Sequence, residues 1–317
     1  MGELTSNVTT TLLMRVGPTE SIEKNYRDKI LTFGCAANWL DYALTKGNQT
    51  VGDIFECVFA RTVGRDPRIR SVTDSRGKPM GDHLLVLEDI EDIADNSCIL
   101  RYIPTILVPV LCFYSFNVQK ICEKLGKDDK PAENFAFNLD EYCKYMGYST
   151  ETASYLFITD PVRFYRELQM VIPAAIEENK SNLTSERFYG AFNPDEPLFF
   201  KDVEYHKHRR NDFFWDNPEN MEELFWKLPE YEEQSELRYI IPNINFAQTF
   251  APESGNYDYT LNTLDVCLPC FQEYSKVVPA TEAHSLYFNI VDKQTYMSSC
   301  SILRMTFDEI HGQRSEQ

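Results

Sequence analysis

An α+β fold, with a mixed and largely antiparallel sheet at its core and helices packed around it, is what this chain predicts. Three observations lead there. Short apolar runs of strand character recur along the chain, among them Leu12-Leu13-Met14-Arg15-Val16, Ile30-Leu31-Thr32-Phe33 and Tyr155-Leu156-Phe157-Ile158. Helical stretches fall between such runs without strict strand–helix–strand alternation, which disfavours a doubly wound parallel sheet. The 317 residues are 43% hydrophobic and 13% aromatic, enough to bury a large core. We expect one large domain over 1–317, with any subdivision near 120–136.

Taken in order, Thr9 to Val16 reads as a Thr-rich strand ended by Gly17-Pro18. Thr19 to Glu23 opens a short helix with an oxygen-bearing cap and early acids. Ile30 to Gly34 is a second strand, and Ala36 to Leu44 turns helical until Lys46-Gly47-Asn48. Residues 64–82 are polar and rich in Arg, Asp, Gly and Pro, a loop or hairpin tip. His83 to Glu88 and Ser97 to Tyr102 are strands. Ile106 to Phe116 is a continuous apolar run and reads as a buried central strand.

Residues 123–134 form a charged connection, and Leu139 to Met146 is helical. After the strand Tyr155 to Ile158, Asp160 caps a helix with Pro161 at its first position. That helix runs to about Ile176, with Phe164, Leu168 and Val171 at helical spacing. Val203 and Tyr205 suggest a strand, Asn220 to Trp226 a short helix, and Leu237 to Ile241 a strand. Asn243 to Tyr259 reads as an exposed loop. Thr260 to Phe271 and Ala283 to Ile290 close the sheet, and Ser298 to Thr306 is a last strand.

Charge limits the partners. The formal net charge is −18, so a surface built to neutralise duplex phosphates is not expected. Acidity favours solubility, and a basic partner is the sharper alternative. No stretch reaches the ~18–20 apolar residues of a membrane span, because Pro104 and Pro109 interrupt the longest one. The start of the chain lacks the basic and apolar segments of a secretory signal. Nine cysteines, an odd number, then read as reduced thiols in a cytoplasmic protein.

Two acceptors and a cation alternate in Gln234-Ser235-Glu236-Leu237-Arg238. If the segment is extended, Gln234, Glu236 and Arg238 share one face. Arg15, on the first predicted strand, supplies a facing wall. Cleavage of an N-glycosidic bond such as that of NAD leaves positive charge on the ribose. A carboxylate there stabilises the oxocarbenium, an amide orients the incoming nucleophile, and a cation grips the pyrophosphate. Phe33, Trp39 and Tyr42 follow the second strand and can stack on the nicotinamide. The bland alternative makes Glu236 and Arg238 a surface cross-strand pair worth a few tenths of a kcal/mol.

With these elements the chain resembles the mono-ADP-ribosyltransferases. Arg15 matches their first-strand Arg or His, Thr32-Phe33-Gly34 stands near their second element without its Ser-Thr-Ser triplet, and Gln234-x-Glu236 matches the late Gln/Glu-x-Glu. The layout also looks like an uncharacterised bacterial family associated with mobile elements. The resemblance implies NAD as substrate and Glu236 as catalytic acid group. It makes Gln234 the acceptor-orienting residue and Arg15 the phosphate clamp, with Arg238 bracing Glu236 or binding phosphate. A Gln at the first position of the triplet goes with acceptors other than arginine. The implied role is a toxin or phage-defence effector that modifies a protein or nucleic acid and is held in check by a neutralising partner. A non-enzymatic acidic sensor or inhibitor, and an NAD hydrolase using the same pocket, stand as alternatives.

Three further features can carry chemistry. Cys267-Leu268-Pro269-Cys270 supplies half a zinc site or a redox dithiol, with His284, Cys300 and His311 as further ligands, against ordinary buried cysteines. His206-Lys207-His208-Arg209-Arg210, followed by Phe213, Phe214 and Trp215, mixes cations with aromatics as a phosphate or single-strand site does. Arg65, Arg68 and Arg70 surround a turn. No glycine-rich dinucleotide fingerprint, Walker loop, His-Glu-x-x-His or Gly-x-Ser-x-Gly is present, which argues against those four enzyme classes.

Overall fold

The computed structural model describes residues 10–39, 57–58, 60–62, 84–87, 98–117, 134–184, 197–205, 213–214, 221–247, 263–290 and 303–307. Helices stand beside strands that pair mostly antiparallel, so the fold is α+β as the sequence predicts. The chain divides into two compact units, each assembled from separate segments. The first comprises Met1–Ile30, Phe113–Glu167 and Cys267–Gln317; the second comprises Leu31–Cys112 and Leu168–Val266. No helix among the described residues is long and apolar enough to cross a membrane.

In the first unit the strand Thr10–Pro18 pairs antiparallel with Val110–Asn117 on one edge, Leu13 opposite Ser115. On its other edge lies Ala153–Ile158, with Arg15 opposite Leu156. Ala153–Ile158 in turn pairs with Ser275–Pro279. Every residue of Ala153–Ile158 is buried, which explains its unbroken apolar texture: a strand paired on both edges and covered on both faces needs no polar alternation. The first strand continues through Gly17-Pro18, where Pro18 stands at its last position and can forgo an N–H. Ser275–Pro279 has no counterpart in the sequence expectations. Its two central valines are too few to register as a periodic run.

Local chemistry sets the helix ends of this unit. The helix Thr19–Asp28 has Pro18 at its cap position with no side-chain cap. Thr19, expected to serve as a cap, instead has its hydroxyl 3.0 Å from that of Ser154. The helix stops at Lys29, which takes a left-handed conformation. Asn138 caps Leu139–Tyr145 by accepting from the Glu141 N–H at 3.1 Å. Against that helix, Tyr114, Phe116, Phe137 and Tyr142 form an aromatic cluster with centroids 4.6–5.6 Å apart. The buried Tyr155 hydroxyl donates to the Leu139 carbonyl at 2.8 Å. Tyr155→Phe is therefore expected to cost about 1–2 kcal/mol, read as a lower urea midpoint at unchanged slope. A second sheet of this unit aligns Leu303–Phe307, Ser285–Ile290 and Asn134–Asn138, all antiparallel.

In the second unit Phe199–Asp202 pairs antiparallel with Glu236–Ile240, placing Lys201 opposite Arg238. Glu236–Ile240 neighbours the strand that begins at Val110. The apolar run from Ile106 is thus not one strand. Ile103–Ile106 is a single helical turn, and pairing starts only after Pro109, which lacks the N–H a ladder requires. A smaller sheet orders Phe213–Phe214, Ala60–Thr62, Cys98–Tyr102 and Leu84–Leu87. The exposed loop expected from Asn243 is corrected at its start: Asn245–Phe246 is a buried two-residue strand against Leu183–Thr184.

Helix Pro161–Glu178 begins in the first unit and continues in the second from Leu168. Asp160 caps it, accepting from the Arg163 N–H at 3.0 Å. Its buried apolar face includes Phe164, Leu168, Ile172 and Ala175, at helical spacing, with Glu167 buried beside them, while Val171 is half-buried. Loss of the cap in Asp160→Ala is expected to cost about 1 kcal/mol, measurable by thermal unfolding.

Candidate functional site

The Gln-x-Glu-x-Arg segment is built by a strand, a tight helical turn and a second strand. Trp226–Lys227 is extended, Pro229–Gln234 forms a 3-10 helix opened by proline, and Glu236–Ile240 is the paired strand described above. Gln234 therefore closes a helical turn rather than starting a strand. Ser235, left-handed at φ 38°, redirects the chain between them. Only Glu236 and Arg238 have the period-2 relation expected of all three.

The three side chains nevertheless meet, and the group that gathers them is Lys227. Its Nζ lies 2.6 Å from Gln234 Oε1 and 2.8 Å from Glu236 Oε2. Arg238 completes the cluster as a fork: Nε donates to Glu236 Oε1 at 3.0 Å and Nη2 to Oε2 at 3.2 Å. Its Nη1 donates to the Leu224 carbonyl. The Glu236 N–H donates to the Tyr205 hydroxyl at 3.0 Å, and its carbonyl accepts from Val203 N at 2.8 Å. Arg238 is fully buried, and Lys227, Gln234 and Glu236 keep only 5%, 6% and 8% exposure. The surface cross-strand pair weighed as an alternative is thus corrected to a buried ion cluster.

Burial pushes the Glu236 carboxyl up, but the Arg238 guanidinium, the Lys227 ammonium and hydrogen bonds from Arg238 and Cys112 outweigh it. The carboxyl is held well below its ordinary range. Burial, and then the Glu236 charge, push the Cys112 thiol the other way, so it stays neutral and donates to the carboxylate. The cluster therefore presents a fixed anion with its charge preserved in a largely dry setting. Lys227 is the member that sequence reasoning missed. Its signal is a lone cation inside the apolar run Phe225-Trp226-Lys227-Leu228.

Of the expected cofactor-binding residues, Trp39 joins this cluster: Arg238 Cζ lies 5.0 Å from the centroid of its ring. Phe33 is fully buried on its strand, a core ring without an open face. Tyr42 lies outside the described residues. Arg15 is half-buried on the strand Thr10–Pro18 and belongs to the first unit, whereas Gln234, Glu236 and Arg238 belong to the second.

Next to this cluster along the chain stands a second buried acid. Glu223 precedes Leu224, whose carbonyl serves Arg238. Glu223 Oε1 accepts from Thr105 Oγ1 at 2.8 Å, and Oε2 has no hydrogen-bond partner among the described residues. Burial pushes its carboxyl up to about 7, against the smaller pull of its hydrogen bonds.

Cys267 and Cys270 are free thiols, one exposed and the other half-buried, rather than the buried pair expected as the ordinary case. His284, the nearest zinc candidate, is paired with Asp140 at 2.9 Å, and Cys300 and His311 lie outside the described residues. Among the described residues no group of three or more His, Cys, Asp or Glu is arranged to hold a metal. The basic segment 206–210, Trp215 and the arginine turn at 65–70 also lie outside them. No family model, curated protein or solved structure matches this chain.

Proposed function

We propose that this chain is an NAD-consuming ADP-ribosyltransferase, acting as a toxin or phage-defence effector, with its reacting centre at Glu236. The observation that carries the reading is the meeting of Gln234 and Glu236 on one amine, Lys227 Nζ at 2.6 and 2.8 Å, with Arg238 forked onto the same carboxylate. In this reading the bond between nicotinamide and ribose breaks with its electron pair leaving on nicotinamide. The ionised Glu236 opposes the positive charge left at the ribose. Lys227 yields Oε2 to a ribose hydroxyl, and the Gln234 amide orients the attacking group of the acceptor, which loses its proton on bonding. NAD is substrate here, and the acceptor is a protein or nucleic acid.

The test is NAD binding and turnover by purified protein, wild type beside Glu236→Gln and Gln234→Ala. Glu236→Gln is expected to bind NAD yet lose on the order of 10²–10³ in turnover, the scale of removing one charge-stabilising group. Label entering a macromolecule indicates transfer, whereas free ADP-ribose with no labelled macromolecule indicates the hydrolase. Wild-type protein that neither binds nor consumes NAD at millimolar concentration defeats both.

One observation favours a second reading. Glu236 is only 8% exposed and both its oxygens are engaged, as in a purely architectural ion cluster. The net charge of −18 then does the work, through salt-sensitive association with a basic partner. Glu236→Gln would leave that association unchanged if the protein stays folded.

A further inference from the structure

The Cys267-Leu268-Pro269-Cys270 segment plays no part in the proposed reaction, and its setting in the first unit is specific. Phe271 N donates to the Leu268 carbonyl at 3.0 Å, closing a turn. Pro269 occupies its second position, and Cys270, at φ −95° and ψ 10°, its third; these are the features of a type I turn. Proline sets that position in advance, so the chain reversal between the two thiols is built in.

Contacts anchor the turn on three sides. Lys29 Nζ donates to the Pro269 carbonyl at 2.9 Å, and Leu268 N to the Lys29 carbonyl at 2.8 Å. Glu167 accepts from Cys270 N at 2.7 Å and from the Tyr274 hydroxyl at 2.5 Å. Arg163, paired with Glu273, lies over the Tyr274 ring at 5.5 Å. The Cys270 side chain lies beside both Arg163 and Glu273. Cys267 is exposed and Cys270 half-buried; Cys35, Cys57 and Cys143 are buried, and the half-buried Cys112 is engaged by the Glu236 carboxylate. Reach and setting thus separate this pair from the structural thiols.

We propose that Cys267 and Cys270 form a reactive dithiol that exchanges with low-molecular-weight disulfides and closes to an intramolecular disulfide. The exposed Cys267 thiolate attacks one sulfur of the incoming disulfide and expels its other half as a thiolate. Cys270, held beside Arg163, then attacks Cys267 Sγ in the mixed disulfide and expels the second half. Two protein thiols are oxidised, one small disulfide is reduced to two thiols, and the protons of the protein thiols go to the released thiolates. The pair is independent of NAD chemistry and stands or falls separately from it.

The experiment is incubation of the native full chain with oxidised glutathione, followed by alkylation and peptide mass spectrometry. The peptide holding both cysteines should lose two hydrogens and refuse alkylation, while Cys35, Cys57 and Cys143 stay reduced. Cys270→Ser should trap a stable glutathione adduct on Cys267, because the resolving thiol is gone. Arg163→Met should slow closure while leaving that first adduct intact. Alkylation of both thiols after oxidation overturns the proposal, as does a disulfide from either one to another cysteine. A stoichiometric zinc ion released on their alkylation overturns it in favour of a metal role.

Discussion

Glu236→Ala should destabilise the protein by about 3–5 kcal/mol, the range for removing one partner of a buried ion pair. Deleting the carboxylate strands two cations together, Lys227 at 5% exposure and Arg238 at none. The loss of attraction is the smaller part. The larger part is that each cation has left water and no longer meets the anion that compensated for it. Glu236→Gln should fall between wild type and alanine, because the amide oxygen still accepts from one cation. Replacing Lys227, Glu236 and Arg238 together by apolar residues of similar volume should come close to neutral in stability, since no charge is then left buried. Urea denaturation of these variants checks the whole series. A loss below about 1 kcal/mol for Glu236→Ala would mean that solvent screens the cluster as it does a surface pair. Because the alanine variant is costly to fold, the glutamine variant is the one that reports on catalysis.

A second large effect concerns pH, and two neighbouring acids pull it in opposite directions. Glu236 has a depressed pKa in the folded chain. Its contribution to stability is in place above the ordinary carboxylate value and disappears as pH falls below it. Glu223 has a raised one, moved from 4.5 to about 7. The unfolded chain releases this proton first, so Glu223 favours folding below about 4.5, and that advantage is lost as pH rises from 4.5 to about 7. The shift corresponds to about 3 kcal/mol across that window. Glu223→Gln keeps an acceptor for Thr105 Oγ1 and removes the titration. The variant should be more stable than wild type at pH 8, and the difference should close toward pH 4, measured by urea midpoints across the range. An equal difference at both pH values would show that solvent reaches Glu223 Oε2 and keeps its titration ordinary.

The amino-acid sequence determined much of the local structure. Asp160 before Pro161 set a helix start, because one oxygen can satisfy an orphan N–H and the ring needs no donor there. Runs such as Tyr155 to Ile158 set strands, because their side chains suit a buried pleated surface. The α+β class followed from the mixture of these elements. Where competing terms were nearly balanced, local reading misplaced the element. Thr19 turned to Ser154 rather than capping its helix, and Pro109 divided an apolar run that periodicity alone could not divide.

The candidate site was legible in part. Glu236 and Arg238 could be paired from sequence, because strand geometry places every second residue on one face. Their burial could not, since exposure depends on what the fold brings over them. Trp39 and Cys112 come from distant positions, about which sequence spacing carries no information, and Lys227, seven residues before Gln234, meets the carboxylate only because the 3-10 helix Pro229–Gln234 turns the chain back. The tertiary structure alone decided that an alternating polar segment on a strand became a buried carboxylate held between two cations. The physical reason is that a charge is affordable in the interior only where the fold delivers its counter-charges, and that delivery is a property of the packed chain as a whole.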